Sequence, residues 1–263
     1  MKRPRWRPAP LLLGSACCHL LCVPALILWP RHWPWPVAAL LIDHLLLAGA
    51  GLWPRSQTLG TNWTRLPTPQ AVAITIDDGP DPEVTPLVLD ILHRHRAHAT
   101  FFCIGERARR HPELIAAIMA AGHAVESHSQ RHRLDFSLLG PVRMAREIDE
   151  AQHTLARLSG QTPLFFRAPA GLRNPWLDPL LSARGLLLAS WTRRGYDTRE
   201  VSAERVTARL LHRLRGGDIL LLHDGNAART AQGTPVIVAV LPRVLDELAR
   251  SGLETVTLRS QLE

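Results

Sequence analysis

Ala71-Val72-Ala73-Ile74-Thr75-Ile76-Asp77-Asp78-Gly79-Pro80 is the stretch from which the rest of this chain can be read. Small and β-branched residues run into two adjacent carboxylates and then a Gly-Pro break, the composition of a buried strand that ends in a loop. Adjacent carboxylates repel, so keeping both ionised at a strand end requires a cation or full solvation. Asp-Gly is also ordinary turn chemistry. Residues further along the chain decide between the two.

Downstream, helical and strand periods alternate. Val84, Leu87, Val88, Ile91 and Leu92 form one helical face; a strand over residues 99–103 follows, then a helix over 112–121 closed by Gly122. A third strand covers 123–127, and a helix over 142–158 presents Met144, Ile148, Ala151, Leu155 and Leu158 before stopping at Gly160. Apolar runs recur at 164–166, 186–191, 219–222 and 254–258, separated by helical segments at 177–184, 203–215 and 235–250. Seven strands and six helices in alternation predict an α/β fold with parallel pairing, a barrel or a doubly wound sheet.

Asp77 and Asp78 follow the first predicted strand, His128 and His132 the third, Arg167 the fourth, Asp197 the fifth, and His223 with Asp224 the sixth. All of them fall at carboxyl ends, where parallel α/β folds gather their sites. His128 and His132 are four residues apart, the spacing of one helical turn, so both imidazoles can face one cation. With Asp78 they make a two-His, one-carboxylate set, which suits a catalytic zinc or a similar divalent ion. By strand alternation Leu221 faces the same side as His223 and forms an apolar wall beside it.

Together these stretches resemble the polysaccharide deacetylase family, the NodB-like carbohydrate esterases, over residues 71–258. Residues 74–80 are similar to its first motif, with Ile76 where Phe is usual. His128-Ser129-Gln130-Arg131-His132 is similar to its metal-binding pair, residues 167–171 to its Arg-x-Pro-x-Gly loop, and residues 220–224 to its closing Leu-x-Leu-His-Asp motif. Two positions depart from the pattern: Asp197 is followed by Thr198 and not Trp, and Ala170 stands where Tyr is usual. The resemblance implies a distorted (β/α) barrel and a metal-dependent hydrolase that removes an N-acyl group, acetyl foremost, from an amino sugar. It implies Asp78, His128 and His132 as ligands of a divalent metal, zinc first, and Asp77 as general base acting on metal-activated water. His223 becomes the general acid, Arg167 and Asp197 orient base and acid, and the Ala170 N–H meets the oxyanion. Ala170, Leu221 and Trp191 are the candidate substrate contacts. A deformylase of a lipid-linked amino sugar and a non-catalytic glycan- or lipid-binding membrane protein are the alternatives; the second should have lost a ligand or the acid, and none is missing here.

Upstream, Lys2, Arg3, Arg5 and Arg7 precede an apolar run over residues 9–29, long enough to span a bilayer and without a small-residue cleavage site. A second run over 37–53 is interrupted by Asp43 and His44, and Trp29, Trp33, Trp35 and Trp53 cluster at the run ends, where amphipathic rings favour the interface. Asp43 is expected to be a helix-pairing or interfacial residue, with a functional intramembrane acid as the alternative. Residues 1–56 thus read as an anchor of one or two transmembrane helices in a bacterial inner membrane, 57–69 as a linker, and 70–263 as the catalytic domain. Charge counts favour a hairpin with the domain on the cytoplasmic side; a single span, with the second run in the interface, would put it outside.

The 263 residues carry a formal charge of +8, and apart from Lys2 and the histidines every basic residue is arginine. Such a bias reflects base composition more than function. Without zinc-finger spacing, an RNA-binding signature or a clustered basic helix, nucleic acid is not an expected partner. The expected partners are an N-acylated amino-sugar glycan or lipid-linked saccharide and membrane lipid; no protein partner is indicated. Cys17, Cys18 and Cys22 lie in the first apolar run and Cys103 stands alone in a strand, so the domain has no disulfide framework.

Overall fold

The computed structural model describes residues 6–262, so Lys2, Arg3 and Arg5 of the basic flank lie outside the described residues. Strand β1, Ala71–Asp77, is buried along its whole length. It lies between β2, Ala99–Cys103, and β7, Ile219–His223, paired parallel to both. From β2 the sheet continues through β3, Ala124–Ser127, β4, Phe165–Phe166, and β5, Leu187–Leu188; from β7 it continues to β6, Arg193–Arg194. A short β8, Glu254–Thr255, runs parallel to the start of β1. Every ladder is parallel, and the sheet curls into the expected distorted barrel.

Alternation along β1 sorts two cores. Val72, Ile74 and Ile76 pack outward on α3, Thr85–Arg94, and on α9, Val236–Arg250, through Val88, Ile91, Val240 and Val244. Ala71 and Ala73 point into the barrel, which is filled by Phe102, Phe165, Trp191, Ile219 and Leu221. Small residues on this face of β1 leave room for those aromatic rings. Helix α6, Pro141–Ser159, opens on proline and closes on Gly160 at φ 71°, as its sequence requires. Also in the outer layer are α4, Gly105–Arg110, α5, Pro112–Ala120, α7, Leu177–Arg184, and α8, Ala203–Leu211.

Two differences from the sequence reading stem from barrel closure. The run at 186–191 is not one strand: its start pairs with β4, and the chain then crosses to pair with β7 as β6. Residues 57–69, read as a linker, fill the opening this leaves. The Trp63 N–H donates to Leu188 O at 2.8 Å, the Ser190 N–H to Trp63 O at 2.8 Å, and Arg65 pairs with the fully buried Asp218. Helix α4 was also not anticipated, because with only Gly105 and Ala108 buried it carries no apolar stripe.

Helices α1, Pro10–Leu28, and α2, Pro34–Leu52, form a hairpin of two 19-residue helices, each long and apolar enough to cross a membrane. At 1.5 Å per residue each spans about 28 Å, close to a bilayer's hydrocarbon core. Asp43, buried between them, accepts the Ser15 hydroxyl at 2.8 Å, as expected of an acid that pairs helices.

Candidate active site

The end of β1 brings two adjacent carboxylates to one imidazole, that of His128, by different backbone conformations. Asp77 keeps the strand's inward alternation, whereas Asp78 adopts φ 72° and turns its carboxylate toward the loop after β3. That loop is not the helical turn expected from the His128 and His132 spacing. Ser129 and His132 both take left-handed backbone, at φ 63° and 49°, and the Ser129 hydroxyl accepts the His132 N–H at 3.0 Å. Turned this way, the imidazoles lie 4.8 Å apart, centroid to centroid. Ala170 and Asn226 are left-handed as well, at φ 55° and 60°. A backbone that costs energy in non-glycine residues thus recurs in the loops around one point.

At that point three donor atoms converge. His128 Nε2 and His132 Nε2 each lie 3.2 Å from Asp78 Oδ1, and the three residues can offer ligand atoms within 4.8 Å of one another. Asp78 Oδ1 is buried and has no hydrogen-bond partner. Three ligands at 2.0–2.1 Å from a tetrahedral cation would stand about 3.3 Å apart, so the residues fit a divalent metal. His128 Nδ1 is 2.8 Å from Arg167 O, so it carries the proton and leaves Nε2 free as a ligand atom. Burial opposes ionisation of Asp78, but the neighbouring His128, His223 and His132 hold its carboxyl well below the usual range. Burial also opposes protonation of His128, and Asp77 and Asp78 outweigh it; at His132 burial prevails, with His128 adding to it, and keeps the ring neutral to lower pH.

Asp77 is held from inside the barrel. Fully buried Arg167 lies 4.0 Å above the Phe102 ring and donates to Asp77 Oδ1 at 2.6 Å and to Thr75 Oγ1 at 2.8 Å. Two of its other N–H groups go to Ala189 O at 3.1 Å and Ser190 O at 2.8 Å. Asp77 Oδ2 is left facing His128 Nε2 at 3.7 Å. His223 is the direct register partner of Asp77, so both side chains stand at the mouth of the barrel. Asp197, with no exposed surface, accepts the His223 backbone N–H at 2.7 Å and pairs with His223 Nδ1 at 2.9 Å. Burial lowers the affinity of His223 for a proton; Asp197 reverses this and raises it.

The three candidate substrate contacts lie at different depths. Ala170 is exposed, on the short 3₁₀ turn after β4. Leu221 faces the same way as His223 but is only 1% exposed, part of the barrel filling under the mouth. Trp191 is likewise buried and supports the turn: a Cβ on Gly171, at φ 73°, would come within 2.6 Å of its ring.

Sequence reading missed two contributors, Asn226 and Thr75, and placed at the cleft a third residue, Asp224, that the structure turns elsewhere. Asn226 donates to Asp78 Oδ2 at 3.1 Å and accepts Arg107 at 2.9 Å; its place one residue past Gly225, in the turn that closes the last motif, was the available signal. Thr75 shares the inward face of β1 with Asp77, so alternation could have marked it. Asp224 turns away from the cleft to accept the Thr85 hydroxyl at 2.5 Å, and burial pushes its carboxyl up to about 7. Beside His132 opens a cleft of about 250 Å³ lined by Ile104, Arg107, Arg131 and Asn226.

Comparison with known proteins gives the same family as the motifs. Residues 65–186 match the model of the polysaccharide deacetylase family. The chain is 34% identical over 193 residues to a peptidoglycan-N-acetylglucosamine deacetylase of Bacillus cereus, covering 73% of this chain and 87% of that protein. It is 33% identical over 195 residues to a chitooligosaccharide deacetylase of a Bradyrhizobium species, covering 70% and 87%. Among solved structures, a family 4 carbohydrate esterase from Streptomyces lividans, in complex with acetate, superposes with a TM-score of 0.64 at 31% identity, covering 72% of this chain and 92% of that one.

Proposed function

The chain belongs to the polysaccharide deacetylase family of hydrolases, and from that premise we propose that it removes the N-acetyl group from an amino sugar in a membrane-proximal glycan or lipid-linked saccharide. The observation that carries the reading is the convergence of Asp78, His128 and His132 beside an arginine-held Asp77, with the His223–Asp197 pair opposite. Asp78, His128 and His132 would hold a divalent ion, zinc by the nature of the donors. When bound, such an ion supplies Lewis acidity to the scissile carbonyl and lowers the pKa of a coordinated water.

The protein's own groups divide the proton chemistry. Arg167 occupies Asp77 Oδ1 and cannot release a proton, so Oδ2 is the basic oxygen that takes the proton of the attacking water. The Ala170 N–H, presented by its left-handed turn, donates to the oxygen that becomes negative as the carbonyl carbon turns tetrahedral. His223 Nδ1 is committed to Asp197, which leaves Nε2 to protonate the departing amine, otherwise a poor leaving group. Acetate and a free amino sugar result, with one proton taken up by Asp77 and one given by His223. Helices α1 and α2 would tether the enzyme to a bacterial inner membrane.

Mass spectrometry of glycans and lipid-linked sugars from cells with and without the protein tests the reading. The species that accumulates without it should be heavier by one acetyl group. Identical spectra, together with no acetate released from N-acetylated chitooligosaccharide or peptidoglycan by purified protein, would reject it.

A further inference from the structure

The apolar hairpin is fastened to the domain at the rim of the proposed site. As α2 ends, Gly51 O accepts the Arg173 N–H at 3.0 Å, an approach so close that a Cβ on Gly51 would strike the Arg173 carbonyl. Pro54 then packs on Gly171 and accepts the Ser190 hydroxyl at 2.6 Å, and the Arg173 guanidinium donates to Ser56 O at 2.7 Å. At the entry to α1, the Trp6 indole N–H donates to Asp178 at 2.6 Å. Both ends of the hairpin are therefore held by residues 167–178, the segment that carries Arg167 and Ala170.

A second observation points the same way. Leu134, Leu138 and Val142, exposed by 97%, 84% and 74%, are the most exposed large apolar side chains of the described domain. Leu134 and Leu138 occupy the connection after β3, just past His132, Val142 the first turn of α6, and half-exposed Trp176 the connection after β4. Asn174 joins the two connections by donating to Leu139 O at 3.0 Å. Leucines held in water beside a hairpin of membrane-spanning composition mark a contact surface continuous with it. Exposed Trp6 and Trp53, at the domain-proximal ends of the helices, suit the interface level.

We propose that the catalytic face rests on the bilayer, with Leu134, Leu138, Val142 and Trp176 in the interface, and that the substrate is a lipid-linked amino sugar presented in the membrane plane rather than a soluble oligosaccharide. The substrate claim rests on the N-deacetylase reading. An N-acetylated sugar on an isoprenoid phosphate keeps its tail in the hydrocarbon and its acetamido group at the depth of the mouth. A soluble chain must reach that mouth without such enrichment.

The test uses full-length protein in nanodiscs of phosphatidylethanolamine and phosphatidylglycerol. N-acetylglucosamine on a polyprenyl phosphate in the same bilayer should be deacetylated at least about tenfold faster than chitotetraose at equal bulk concentration, the gain that a shared surface gives. The double variant L138E/V142E should lose that advantage and keep its rate on chitotetraose. Equal or better turnover of chitotetraose by the parent, or equal losses on both substrates in the variant, overturns the substrate claim and leaves the deacetylase reading in place. No turnover of either sinks that reading, and the substrate claim with it. Orientation has its own readout: a nitroxide on L138C, with the native cysteines replaced by serine, should collide more with oxygen than with an aqueous nickel chelate. The reverse preference overturns the membrane contact whatever the activity.

Discussion

Asp77→Asn separates two adjacent carboxylates that the site gives different work. The amide is nearly isosteric, and the three candidate ligands are untouched, so the metal content of purified protein should stay at the parent level. Catalysis should fall by roughly a hundred- to ten-thousandfold, the usual contribution of a general base, equivalent to about 2.7–5.5 kcal/mol of barrier. The substitution also leaves Arg167 charged, fully buried and without its carboxylate. Breaking a buried pair costs about 3–5 kcal/mol, and the low end applies because Thr75, Ala189 and Ser190 still accept from the guanidinium. For a chain of this length, about 3 kcal/mol lowers Tm by roughly 6–12 °C. Metal content is therefore measured on folded protein well below that transition, beside acetate release and a circular-dichroism melt. Asp78→Asn should do the opposite, weakening metal affinity and regaining part of its activity when metal is added. If Asp77→Asn loses the metal while Asp78→Asn retains it, the two roles are exchanged and the mechanism fails at its first residue.

In Asp197→Asn the charge that raises the proton affinity of His223 disappears while burial remains, so the alkaline limb of the kcat profile should move to lower pH; an unmoved limb argues against His223 as the acid. A raised folded pKa contributes stability that is complete below the unfolded value of about 6.5 and is lost as pH rises through the folded value, so the Tm penalty of this variant should be larger near pH 6 than near pH 8. Gly171→Ala should cost about 1–3 kcal/mol, because alanine is strained at a positive φ and its Cβ would meet Trp191 at 2.6 Å and Pro54 at 2.7 Å; a parental melting curve would refute the fit of this turn. A C-terminal fusion to a reporter active only in the cytoplasm should function, and activity of a periplasm-only reporter in its place would reverse the orientation inferred from charge while leaving the chemistry intact.

Sequence alone determined what depends on local order. Short runs of apolar and β-branched residues recovered β1, β2, β3 and β7, because a strand buried on both faces reads as such a run, and helical periods recovered most helices, because a half-buried helix repeats its apolar residues at its own period. The residue types at strand ends brought Asp77, Asp78, His128, His132, Arg167, Asp197 and His223 into one candidate set, because parallel strands all deliver their carboxyl ends to one face. Tertiary structure decided whatever depended on which segments meet. Closure of the barrel limited the pairing of residues 186–191 with β4 to Leu187–Leu188, moved the next strand to Arg193–Arg194 beside β7, and drew Trp63 and Arg65 into the opening, positions that no local period marks. Left-handed backbone at Asp78, Ser129 and His132 brought the Asp78 carboxylate and a loop to one point, where the spacing of the histidines had suggested a helix. Asn226 at the carboxylate, and the hairpin bound to the turn after β4, join residues about 150 and 120 positions apart in the chain. Pairing at that range is fixed by shape and packing of the whole barrel, a non-local term that composition and periodicity do not contain.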